Sequence, residues 1–80
     1  MTDQDIIGTI DELIAEEHEL RGRAVGAGLT DDERARMHQV EVRLDQCWDL
    51  LRQRRARRDV GENPAGATAR PASEVESYRQ

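Results

Sequence analysis

The 80-residue chain has no phenylalanine and no lysine, and only one tryptophan, one tyrosine, one cysteine and two prolines. Charged residues match hydrophobic ones at 36% each, so a broad globular core cannot be built from this composition. A chain rich in Ala, Glu, Leu and Arg at helical spacing reads instead as long helices. A single cysteine excludes an internal disulfide and suits a reducing cytosol. Small domains without disulfides commonly recruit metals or further copies of themselves, which makes self-association the first expectation. No apolar run approaches the roughly 20 residues of a membrane span. The opening residues 2–5, TDQD, are acidic where a signal peptide would be basic. The expectation is a cytoplasmic protein.

Charge is unevenly placed. Residues 1–20 hold seven acids and no Lys or Arg, whereas 52–58 hold five arginines: Arg52, Arg54, Arg55, Arg57 and Arg58. The net charge of −5 disfavours non-specific nucleic-acid binding, because phosphates repel most of such a surface. The arginine run is the exception, since its forked donors suit carboxylates or phosphates.

Two helices are legible. Thr2-Asp3-Gln4-Asp5 has the form of a capping box, and Ile6, Ile10, Leu13, Glu17, Leu20 and Ala24 follow at alternating spacings of four and three. This predicts a helix over 3–25, stopped by Gly26 and Gly28. Thr30-Asp31-Asp32-Glu33 is a second capping box, followed by Met37, Val40, Leu44, Cys47 and Leu51. With no Gly or Pro before Val60, the second helix should run over 30–59. The short connection requires antiparallel neighbours, pairing Leu20 with Met37, Leu13 with Leu44 and Ile6 with Leu51. That register also sets Asp3 and Asp5 beside Arg52, Arg54 and Arg55, so apolar and charge pairing agree. The fold class expected is all-α: an antiparallel hairpin over 1–59 with a coiled-coil-like, heptad-spaced seam. Ile7, Ile14, Trp48 and Leu50 flank that seam and are assigned to a homodimer interface that builds a four-helix bundle. Residues 60–80 read as a flexible linker and tail, with a third capping box at Ser73 allowing a short helix over 73–79.

The stretch LDQCWDLLRQRRARRD at 44–59, the tail RPASEVESYRQ at 70–80 and the acidic first helix together resemble a domain-of-unknown-function family of short actinobacterial proteins. The resemblance spans nearly the whole chain. It implies a small bacterial protein whose tail is part of the unit, and brings no activity with it.

Catalytic chemistry finds little support. His18 and His38 fall at similar heights in the hairpin near Glu16, Glu17 and Glu41, but each lies one residue past a seam position and should face outward. The Glu-x-x-His pattern of di-metal bundles is missing, with Ala15 and Ala35 where the Glu would stand. Cys47 sits in the seam as a small buried hydrophobe, without a base to activate it. Glu17, a charged residue in the seam, is expected to pair with Arg21 or Arg43. No phosphate loop, nucleophile elbow or zinc pattern occurs. No metal, cofactor or enzymatic activity is therefore expected. The reading is a protein–protein interaction or regulatory module that docks through Arg54, Arg55, Arg57 and Arg58 together with Val75 and Tyr78 of the tail. The alternative is a nucleic-acid-associated factor that sets the arginine tip on phosphates.

Overall fold

The computed structural model describes residues 2–71; the expected helix over 73–79, with Val75 and Tyr78, lies outside them. Helix α1 spans Asp3–Ala27, helix α2 spans Asp31–Asp59, and a short 3-10 turn follows at Pro64–Gly66.

Both predicted capping boxes form. The Thr2 hydroxyl accepts from the Asp5 backbone N–H at 3.2 Å while the Asp5 carboxylate accepts from the Thr2 N–H at 2.9 Å. Thr30 and Glu33 exchange the same pair at 3.1 and 2.9 Å. Each box satisfies two of the donors that a helix start leaves without partners. The first helix outruns its expected end: Gly26 stays helical, and the stop comes at Gly28, whose φ of 76° only glycine adopts freely. At the far end of α2, the Gly61 N–H donates to the Arg58 carbonyl and the Glu62 N–H to the Arg57 carbonyl. With Gly61 at φ 79°, this is a Schellman closure, and it turns the chain back over α2.

The two helices pack antiparallel around one buried cluster of Ile6, Ile10, Leu13, Val40, Leu44 and Leu50, with Cys47 and Leu51 half-buried beside it. Cross-helix ion pairs repeat the same register along the length of the hairpin. Asp3 meets Arg54 and Arg58, Glu16 meets Arg36, and Glu33 meets Arg23. Glu17 turns to Arg21 on its own helix at 3.5 Å rather than to Arg43.

Residues 62–70, read from the sequence as a linker, lie along α2 as a strap. The Gln53 amide donates to the Thr68 carbonyl at 2.9 Å, the Gln46 amide to the Arg70 carbonyl at 3.3 Å, and Arg54 to the Pro64 carbonyl at 3.4 Å. Ala67 packs on the core cluster. This placement corrects the assignment of Leu50. It is buried in the hairpin's own core, on the side of α2 that the strap covers, and is not available to a second copy. Ile7, Ile14 and Trp48 do remain exposed, at 38, 44 and 46%.

Candidate docking site at the helix end

The five tip arginines differ in what holds them. Arg54 is buried at 9% exposure and donates to Asp3 at 2.5 Å, so it belongs to the interior and not to a docking surface. This corrects its place among the partner-binding residues; the cause is that Asp3, at the start of α1, lies directly opposite it. Arg58 donates to the other Asp3 oxygen at 2.6 Å, and Arg57 to Glu62 at 3.3 Å. Arg52 is exposed and approaches Asp49 only to 3.9 Å. Arg55 is exposed and makes no ion pair among the described residues. Asp3 therefore holds two of the five tip arginines, Arg54 and Arg58. Hydrogen bonds from Arg54 first and Arg58 second lower its carboxyl below the ordinary range. The Asp5 carboxyl is lowered chiefly by the backbone N–H of Thr2, to which it is turned.

Beside this lock lies an open groove of about 310 Å³. Ile7 from α1 and Trp48 and Leu51 from α2 form its apolar lining, and Arg52, Arg55 and Arg58 its charged edge. The spacing explains the combination. Residues 48, 51, 52 and 55 share one face of α2 by helical periodicity, next to the face that packs on α1. The groove can take an apolar anchor flanked by carboxylates, because Arg forks bind carboxylates bidentately.

On the side of α2 that the strap covers, Asp49 is 1% exposed and accepts from three donors. Nε of Arg70 lies at 2.9 Å, Nη2 of Arg70 completes a fork, and Nε2 of Gln53 lies at 2.9 Å. The Arg70 fork lowers the Asp49 carboxyl, more than offsetting burial, which raises it. Sequence reasoning missed this pair. The signal present was a polar stripe of Gln46, Asp49 and Gln53 at helical spacing beside the apolar seam of α2.

His18 and His38 are exposed. Among the described residues no group of three or more His, Cys, Asp or Glu side chains is placed to hold a metal ion. Cys47 is half-buried, and burial raises its thiol, with a smaller lowering influence from Arg43; this disfavours a reactive thiolate. Among the described residues no helix is long and apolar enough to cross a membrane.

Fold and site define a class: small all-α hairpins that carry an arginine-edged groove at one end and a strap latched to the second helix. The chain belongs to a family described as protein of unknown function, DUF2630, whose model matches residues 2–80. It is similar to the uncharacterized protein Rv0898c of Mycobacterium tuberculosis, 45% identical over 78 residues that cover 96% of this chain and 90% of the relative. The uncharacterized protein Mb0922c of Mycobacterium bovis matches with the same identity and coverage. The family and its mycobacterial members agree with the resemblance drawn from the LDQCWD and SEVESY motifs. No solved structure matches the chain.

Proposed function

We propose that the protein is a non-enzymatic, cytoplasmic interaction module that docks through its arginine-rich helix end, with the tail residues Val75 and Tyr78 contributing. The observation that carries this reading is the groove lined by Ile7, Trp48 and Leu51 and edged by Arg52, Arg55 and Arg58. Half-exposed aromatic and aliphatic side chains beside Arg55, which makes no ion pair among the described residues, and the loosely held Arg52 have the composition of an interface hot spot. The partner surface that suits it sets carboxylates beside an apolar anchor.

The sequence-based docking set shifts accordingly. Arg55 stays, Arg52 joins it, Arg57 and Arg58 contribute from beside their ion pairs, and Arg54 is withdrawn into the fold.

The test is capture of a discrete protein from native extract on immobilised full-length chain. An Arg52→Gln/Arg55→Gln variant and a chain lacking residues 72–80 run beside it. Loss of capture in the arginine variant, and weakening in the truncated chain, are expected. Tight, salt-sensitive binding of DNA or RNA that vanishes in the arginine variant would overturn the reading in favour of phosphate recognition.

A further inference from the structure

The outer face of α2 carries a charge pattern that reverses about Trp48. Glu41 lies seven residues before the tryptophan and Arg55 seven after, so all three fall on one line of the helix surface. Neither Glu41 nor Arg55 makes an ion pair among the described residues, whereas Arg54 and Arg58 on the neighbouring line are both held by Asp3. Ile7 lines the groove beside Trp48, and Ile14 follows one heptad along on the same face of α1.

We propose that the occupant of this face is a second copy of the chain, related by a two-fold axis through Trp48. The inference rests on the docking reading above and names its partner. Antiparallel apposition about that axis sets Glu41 of each copy opposite Arg55 of the other, giving two symmetry-related ion pairs around a Trp48–Trp48 contact. Ile7 and Ile14 of both copies then close over the flanks. A patch that is acidic on one side of its aromatic centre and basic on the other complements itself under two-fold rotation, as a symmetric dimer requires. A uniformly acidic partner would engage Arg55 but would set like charge against Glu41.

The scale is modest. Glu41 and Arg55 lie about 21 Å apart along the helix at 1.5 Å per residue. Two helices of that length offer an area at the low end of stable interfaces, so dissociation on the order of micromolar concentration is expected.

Analytical ultracentrifugation of the full-length protein and two charge reversals tests the pairing. Wild type should be dimeric at high micromolar concentration. Glu41→Arg sets two arginines against each other and Arg55→Glu two glutamates, so each alone should dimerise at least about tenfold more weakly. Mixing the two variants sets Arg against Glu at both contacts and should restore dimers. Trp48→Ala should weaken association by about tenfold or more while helicity by circular dichroism stays unchanged.

A chain lacking residues 72–80 should still dimerise, weakened at most by the tail's contribution. Loss of dimer there, with helicity intact, would give the face to the tail and overturn the proposal. Charge reversals without effect, or a mixture that stays weak, would overturn it as well. A monomeric wild type that still captures a protein through Arg52 and Arg55 would overturn the self-pairing alone; absence of both would remove the docking reading too.

Discussion

Removing Arg70 should destabilise the hairpin more than removing the carboxylate it binds. Asp49 is sealed in the structure, and apart from the Arg70 fork its near partners are Gln53 and the distant Arg52. Arg70→Ala strands a buried charge, the situation that costs about 3–5 kcal/mol when one member of a buried pair is deleted. Lifting the strap to admit water would hold the loss near the lower end, about 3 kcal/mol. Asp49→Ala instead leaves a guanidinium that is already about one-third exposed and can turn to solvent. Its cost is that of the lost charge-assisted hydrogen bonds, about 2 kcal/mol. The double variant should cost little more than Asp49→Ala, giving a coupling of about 3 kcal/mol in a double-mutant cycle. Arg70→Lys should fall between, because an ammonium cannot reproduce the fork. Urea unfolding followed by circular dichroism, with the slopes compared across the set, reads all four values. Equal single-variant losses that simply add, or an Arg70→Ala within about 0.5 kcal/mol of wild type, would refute the latch.

Three further outcomes are expected. Acid should release the same contacts. Asp49, Asp3, Glu16 and Glu33 all have folded-state carboxyls lowered by hydrogen bonds, from Arg70, Arg54, Arg36 and the Thr30 backbone respectively. Each contributes stability that is full above the unfolded value and lost as pH falls through the lowered folded value. Melting temperature should hold from neutral pH to about pH 5 and drop below about pH 4, and a steady decline starting near neutrality would contradict this. Gly22→Ala and Gly28→Ala should act in opposite directions. Gly22 is a helix-interior position with open space around it, so alanine should stabilise by about 0.5–1 kcal/mol, whereas at Gly28 the positive φ should make alanine cost about 1 kcal/mol in thermal or urea melts. Truncation after Pro71 should preserve helicity because it keeps the Arg70 latch, while truncation after Ala69 should reproduce the loss expected for Arg70→Ala.

The sequence alone determined the two helices, their caps and their antiparallel register. Capping boxes at Thr2 and Thr30 act within one turn, the seams of α1 and α2 repeat every three or four residues, and the acids of α1 face arginines of α2 at the same offset as the apolar pairs. Such signals are local or periodic and survive in a string of letters. The tertiary structure alone decided which arginines are held and which side of α2 is covered. The sequence marks Asp5 as a capping partner, but only the folded backbone sets Asp3 opposite both Arg54 and Arg58. Leu50 and Trp48 look alike as seam flanks, yet the strap seals the first into the core and the second stays open. The strap itself has no periodicity to read. Much of its docking runs through the carbonyls of Pro64, Thr68 and Arg70, groups that every residue carries, and only the folded backbone sets them within reach of Arg54, Gln53 and Gln46.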